Sequence, residues 1–327
     1  MKQARRLAIL VAAASAVFGQ PAEFLSTPRL GWTVSDDARE LRALLGVPGA
    51  GRVSEAVTLP DGVTRIYVAP GHQYALGYGE DSGAWCLVSL RDESLFSVTK
   101  IEGLSGPAGL LAFGPDARAV AVADAANSTV QVLTVSAGRA QAAWTVAIDS
   151  PSRIALDSSG DLLLAAGAGG VILHRRDAPG IPVAPATDVE AMAFRAGTDR
   201  AIIADSAQRV LLLADHLAAE PAVRPVVGAG IGAPGAVAWS RDGRFVWCAD
   251  REANAIARVE LATGVADLIQ TDVSVSQFEV LPGSDHFLIS APRAGQAAWM
   301  LLANPERVST YFVPGVPVSE ERNHEIQ

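Results

Sequence analysis

The sequence contains few of the residues that build disulfide scaffolds or metal centres. Its 327 residues include two cysteines and five histidines, with no C-x-x-C pair and no histidine pair at ligand spacing. A disulfide-rich fold and a structural zinc site are therefore excluded. Because Cys86 and Cys248 fall in repeat units that are not neighbours, we expect two free, buried thiols rather than a disulfide bond.

Basic charge and long apolar runs are also scarce. The net charge is −9, which argues against nucleic acid and anionic lipid surfaces as partners. The apolar run Leu7–Phe18 is too short to span a bilayer, but it follows Lys2, Arg5 and Arg6 and precedes small residues. That order is typical of a secretory signal peptide at residues 1–19, with a buried N-terminal helix as the alternative. We expect a monomeric periplasmic or secreted protein with one domain at 20–318, a polar tail at 319–327 and no membrane span.

A turn motif recurs along the chain. Tetrapeptides rich in Gly, Asp and Pro begin at positions 70, 115, 158, 196, 241 and 282. Short strand-like runs lie before and after each turn, and none shows a sustained helical period. Four strands in about 42 residues is the spacing of a β-propeller blade. Continuous apolar runs such as "FVWCAD" suit strands that are buried on both faces between neighbouring blades.

The pattern predicts an all-β propeller of about seven four-stranded blades. Six repeats are clear, with the inner strand of each unit expected upstream of its other three strands, near Val53, Phe96, Ala142, Val183, Val223 and Ala266. The segments left over are residues 30–47, read as a hairpin of two outer strands, and residues 307–315, read as a further inner strand. We expect the two to share a seventh, closing blade that leaves no open edge. A six-bladed ring with loose ends is the alternative.

One repeat unit resembles the YVTN/NHL-type propeller families. The resemblance rests on the turn Gly243, the strand Phe245–Cys248, Asp250, Asn254 and the run Ile256–Leu261. Asp124, Asn127 and Asp205 stand at equivalent places in other units. The resemblance implies the fold and no particular activity.

The recurring Asp and Asn residues allow two interpretations. Short carboxylate and amide side chains bond to backbone N–H groups in reversals, so Asp124, Asn127, Asp205, Asp250 and Asn254 are predicted to be structural. The same connections also carry Glu80, Asp81 and Glu252. Equivalent connections share one face of a propeller, so that face is expected to be acidic and to attract a cation or a basic partner.

Four other acids are candidates for a hard cation. They lie in loops expected to ring the central channel, and they are Asp149, Asp188, Glu190 and Asp272. Propeller lactonases are similar in outline. We therefore expect a non-enzymatic binding scaffold for a protein or small molecule, without a cofactor. The alternative is a hydrolase or lactonase that depends on Ca²⁺ or another divalent cation.

Overall fold

The computed structural model describes residues 28–91, 96–227, 230–282, 286–290, 298–304 and 307–315. Within these ranges the chain forms strands and connections and no helix. No helix of the described residues is long and apolar enough to cross a membrane. The predicted signal peptide and the predicted polar tail lie outside the described residues.

The strands form seven antiparallel sheets, numbered here in chain order. Sheet 1 contains β1 (Arg29–Val34), β2 (Leu41–Val47) and β3 (Ala50–Val57). Sheet 2 contains β4 (Arg65–Val68), β5 (Tyr74–Gly79), β6 (Ala84–Ser89) and β7 (Val98–Ser105). Sheet 3 contains β8 (Leu110–Phe113), β9 (Ala119–Asp124), β10 (Thr129–Ser136) and β11 (Arg139–Ala147). Sheet 4 contains β12 (Arg153–Leu156), β13 (Leu162–Gly167), β14 (Gly170–Arg175) and β15 (Ile181–Ala184).

The remaining three sheets follow the same plan. Sheet 5 contains β16 (Val189–Phe194), β17 (Ala201–Asp205), β18 (Val210–Asp215) and β19 (Ala222–Val227). Sheet 6 contains β20 (Pro234–Trp239), β21 (Phe245–Asp250), β22 (Ala255–Glu260) and β23 (Ala266–Gln270). Sheet 7 contains β24 (Glu279–Val280), β25 (His286–Ser290), β26 (Ala298–Asn304) and β27 (Arg307–Val313). The molecule is a seven-bladed β-propeller, which confirms the predicted fold.

Seven buried apolar clusters hold the sheets together, one between each pair of neighbours. Strand β17 shows how one run serves two interfaces, because alternate side chains of a strand point to opposite faces. Ile203 packs towards sheet 4, whereas Ile202 packs towards sheet 6. This double burial explains the continuous apolar runs of the sequence.

The radial order of the strands is the reverse of the predicted order. The first strands of sheets 3 to 6 contact one another in series, which places them around the axis. The last strands are the most exposed, as in β11 and β23. The strands near Ala142 and Ala266 are therefore outermost, and the prediction that they are innermost was wrong. Polar residues on these strands reflect their position at the rim.

Closure of the ring also differs in detail from the expectation. Strand β27 is the outermost strand of sheet 7, and the described strands of sheet 1 all come from the N-terminal segment. The two ends still meet, since the Val53 N–H donates to the Pro314 carbonyl at 2.9 Å. Apolar clusters join sheet 1 to both of its neighbours, with Trp32 in one and Leu44 in the other.

Both cysteines are free, as expected. Cys248 on β21 is buried, and Cys86 on β6 is only half-buried. Burial raises the pKa of the Cys248 thiol to about 12 and also raises the pKa of Cys86.

Candidate functional site

The candidate site is the upper face, which we define by two kinds of connection. Strands alternate in direction, so the connections between the second and third strands share a face with those that lead from one sheet to the next. Hydrogen bonds join the two kinds, because Thr187 N–H donates to the Asp205 carboxylate at 2.9 Å and Arg251 N–H donates to the Ala233 carbonyl at 3.0 Å. In sheets 2 to 6 the turns between the first and second strands lie on the opposite, lower face. The connection between β1 and β2 of sheet 1 lies on the upper face, because its Arg39 bonds to Glu80 in the connection between β5 and β6.

Asp250 organises the upper face of sheet 6. Its carboxylate is 2% exposed and accepts the backbone N–H groups of Gly232, Ala233, Glu252 and Ala253 at 2.8–3.2 Å. Burial opposes ionisation, but these four hydrogen bonds lower the pKa of Asp250 below its usual range. The side chain therefore fastens the incoming loop to the connection that follows β21.

Two other repeats use the same device with different partners. Asp205 is fully buried and accepts the Thr187 and Gln208 backbone N–H groups at 2.9 and 3.0 Å. Asp124 accepts the side-chain amide of Asn127 at 2.6 Å, and this bond lowers the pKa of Asp124. Asn254 has φ +49°, a left-handed conformation that asparagine tolerates better than most residues. All five residues thus lie in reversals. Asp124 bonds within its own turn, whereas Asp205 and Asp250 also bond to the loop that enters their sheet.

Glu190, one of the four candidate metal ligands, lies on the innermost strand β16 between two arginines. Arg251 Nη2 lies 2.6 Å from its Oε1, and Arg153 Nη2 lies 3.5 Å from its Oε2. Arg153 also donates through Nε to the Glu190 carbonyl at 2.9 Å. We call Arg153, Glu190 and Arg251 the first arginine cluster. It joins sheets 4, 5 and 6 at the inner ends of their strands.

Gly235 leaves room for this cluster. Arg251 follows β21 and must cross the first residues of β20 to reach Glu190. A Cβ on Gly235 would lie 3.3 Å from Arg251 Cγ and Cδ, which is tighter than an ordinary contact. Glycine at this position therefore lets the arginine lie close to the backbone of β20.

The other three candidate ligands are not brought together with Glu190. Asp188 accepts a hydrogen bond from Ser206 Oγ, and Asp149 accepts one from Ser150 Oγ at 3.0 Å. Asp272 is exposed on the loop after β23. In the part of the chain that the structure describes, no three or more His, Cys, Asp or Glu side chains are placed to hold a metal ion.

A second arginine cluster consists of Arg39, Arg65 and Glu80. Arg39 Nη2 donates to both carboxylate oxygens of Glu80 at 2.9 Å, and Arg65 Nε donates to Oε1 of Glu80 at 2.8 Å. The hydrogen bond from Arg65 and the charge of Arg39 lower the pKa of Glu80. As in the first cluster, one carboxylate lies between two guanidinium groups, so each cluster has a net positive charge.

Sequence reasoning missed the four arginines because it followed only the acidic residues. A usable signal was present: Arg65 and Arg153 each open the run before a repeat turn, and Arg251 directly follows Asp250. The upper face is therefore not uniformly acidic. Arg65 and Arg153 lie on innermost strands, and exposed acids such as Asp149 and Asp272 lie in the loops between one sheet and the next.

Many solved structures resemble this propeller, and three of them are described here. A candidate 6-phosphogluconolactonase from Bacteroides fragilis has a TM-score of 0.58 at 12% identity, over 90% of this chain and 98% of that chain. Hydrazine synthase from Kuenenia stuttgartiensis has a TM-score of 0.52 at 11% identity, again over 90% and 98%. A chain of a nidogen/laminin complex has a TM-score of 0.48 at 13% identity, over 76% and 96%. At these identities the likeness shows the fold alone.

Two comparisons of the sequence found no match. No protein-family model matches the chain, and no curated protein matches it.

Proposed function

We propose that this chain is an exported, non-enzymatic propeller that binds a protein or small-molecule partner through its upper face. The observation that carries the proposal is the pair of arginine clusters. Their four arginine side chains remain 37–49% exposed while each guanidinium is held by a carboxylate of the chain. Guanidinium groups fixed in this way offer donors to a carboxylate or phosphate group of a partner.

The clusters are suited to orientation of a partner. Each cluster draws its members from two or three sheets, so the distance between the clusters is set by the rigid ring and not by one loop. The buried Asp205 and Asp250 side chains hold the loops beside the first cluster in place. A preformed surface of this kind loses less conformational entropy on binding than a mobile loop does.

The alternative function is a metal-dependent hydrolase or lactonase. Its support from the Bacteroides fragilis protein is an analogy of fold alone. A hard cation takes several oxygen ligands at 2.3–2.6 Å. Glu190 and Asp188 already bond to protein groups, so such a site requires both to leave their present partners. The binding function needs no such rearrangement.

Binding is tested with the mature chain, residues 20–327, against proteins and metabolites from the cell envelope or culture medium. We expect the double variant R153A/R251A to lose at least about tenfold in affinity, because each charge-assisted hydrogen bond is worth roughly 1.5–3 kcal/mol. The control is R118A, an 80% exposed arginine of a lower-face turn. Equal loss in both variants, or none in the double variant, contradicts the proposal.

Metal dependence is tested by thermal melts in chelator and then in Ca²⁺, Mg²⁺, Mn²⁺ or Zn²⁺. An ion at 100 times its Kd adds about 2.7 kcal/mol to the unfolding free energy. An unchanged melting temperature supports the binding function. A clear rise with one ion supports the hydrolase, and lactones and esters are then the substrates to screen. Export is checked by the N-terminal sequence of the protein recovered outside the cytoplasm, expected to begin near Gln20.

A further inference from the structure

The His72 side chain makes a hydrogen bond to the inner edge of sheet 1, the sheet that follows sheet 7 around the ring. Sheet 1 has three strands among the described residues, whereas the other sheets have four. On its inner edge, the Trp32 N–H of β1 donates to Nδ1 of His72 at 2.7 Å. His72 belongs to the turn between β4 and β5 of sheet 2. The imidazole thus accepts a backbone N–H of an edge strand, a group that normally donates to a neighbouring strand within a sheet.

The His72 imidazole also contacts a third sheet. Nε2 of His72 lies 3.5 Å from Oε1 of Glu279, which is on the innermost strand of sheet 7. The His72 side chain is 2% exposed and the Glu279 side chain 26%. His72 therefore joins sheets 1, 2 and 7 where the ring closes.

The hydrogen bond from Trp32 fixes the protonation of the imidazole. Because Nδ1 accepts a backbone N–H, it carries no proton, and the proton of the neutral ring is on Nε2, on the side of Glu279. A second proton can only go to Nδ1, where it displaces the Trp32 N–H. Closure of the ring thus favours neutral His72.

The surrounding groups act in the same direction. Burial lowers the pKa of His72 to about 4, aided by the charge of Arg29 on β1, although the carbonyl of Val280 on β24 acts against this shift. Arg91, which follows β6 of sheet 2, lines the cavity beside the His72 imidazole. Burial raises the pKa of Glu279 to about 7. Both groups are therefore neutral in the closed ring at mildly acidic pH.

We propose that His72 and Glu279 are a proton-exchanging pair that makes closure of the ring insensitive to pH. In the open chain at mildly acidic pH, the imidazole carries the extra proton and the carboxylate is ionised. On closure the imidazole gives up one proton and the carboxylate takes one, so the number of bound protons does not change. Neither a charged imidazole nor a carboxylate is then left in the junction.

The signs of the two contributions are opposite. The depressed pKa of His72 gives stability that is present above its ordinary value of 6.5 and is lost as the pH falls towards 4. The raised pKa of Glu279 gives stability that is present below its ordinary value of 4.5 and is lost as the pH rises towards 7. Between pH 4.5 and 6.5 the two changes offset each other.

The test is hydrogen exchange of the full mature chain, read on peptides that cover β1 and β24 and corrected for the intrinsic exchange rate. In the wild type we expect the opening equilibrium to change by no more than about threefold between pH 4.5 and 6.5. In E279Q, opening should rise as the pH falls from 6.5 to 4, by up to about 80-fold for a His72 pKa that closure lowers from 6.5 to about 4.

The variant H72N leaves Glu279 as the only titrating member of the pair, so it measures the contribution of that carboxyl group alone. Asparagine tolerates the φ of +54° at this position, and its Oδ1 can accept the Trp32 N–H in place of Nδ1. Opening should now rise as the pH increases from 4.5 to 7, by less than in E279Q because the Glu279 side chain is partly exposed. The double variant H72N/E279Q should again be flat. The control is H174N, which removes a buried histidine of sheet 4.

Several results would overturn the proposal. A steep pH dependence in the wild type, or flat profiles in both single variants, would show that the pair does not exchange a proton. A change that is equal at every pH would indicate a packing role alone. If the variants fail to fold, ¹³C-labelled histidine in the wild type is decisive: His72 should remain neutral from pH 7 to 5, and a titration near 6.5 refutes the pair.

Discussion

Replacement of Asp250 by asparagine tests whether a buried carboxylate holds the upper face together. The carboxylate accepts four backbone N–H groups, three through Oδ1 and that of Gly232 through Oδ2. The NH₂ group of asparagine accepts no hydrogen bond, so even when the amide oxygen takes the place of Oδ1, the Gly232 N–H loses its acceptor and faces a donor. D250N should therefore lower the unfolding free energy by about 1–3 kcal/mol, the cost of one unsatisfied buried donor.

The matched control is D124N, at the equivalent place in sheet 3. Asp124 bonds within its own turn, to the N–H groups of Ala126 and Asn127, and water can replace these bonds. We expect D124N to cost less than about 1 kcal/mol. Urea unfolding at pH 7 measures both variants, with tryptophan fluorescence as the signal. Equal costs, or a cost below about 0.5 kcal/mol for D250N, would refute the reasoning.

The same substitution has a consequence at low pH. Because the folded-state pKa of Asp250 is lowered, its ionised form stabilises the fold above the ordinary value of 3.8, and this stability is lost as the pH falls through the folded pKa. D250N removes a group that titrates there. The unfolding free energy of D250N should therefore decline less steeply than that of the wild type below pH 4.

Three further predictions concern other parts of the ring. Both thiols should react with a thiol reagent in denaturant, but in the native state Cys86 should react slowly and Cys248 not at all, since only the thiolate is reactive and burial raises both pKa values. G235A should displace Arg251 by a few tenths of an ångström and weaken partner binding, measured as for the arginine variants, without lowering stability by more than about 1 kcal/mol. I203A removes a fully buried side chain between two sheets and should cost roughly 2–5 kcal/mol in urea unfolding.

The repeat turns predicted the number of blades because their chemistry is local. Gly71 and Gly243, for example, adopt φ near +70°, which a tight reversal requires and which glycine adopts without strain. The radial order depends instead on which strand loses its neighbours at the rim, and that is a property of the whole ring. The sequence nevertheless contains one indication of the radial order. The outermost strand β11 includes Arg139 and Gln141, whereas the central strand β13 has no charged residue.

The candidate site was harder to predict because its partners are separated by the length of a repeat. Glu80 and Arg39 are 41 residues apart, Glu190 and Arg153 are 37 apart, and Glu190 and Arg251 are 61 apart. In a ring of blades, residues about one unit apart in sequence meet at neighbouring strand ends. Glu190, on an innermost strand, therefore finds its partners one repeat away or a little further. Glu80, in the connection after β5, finds Arg39 one repeat away and Arg65 only 15 residues away in its own sheet. Arginines at that spacing explain why these carboxylates bond to the protein and leave positive groups exposed on the upper face.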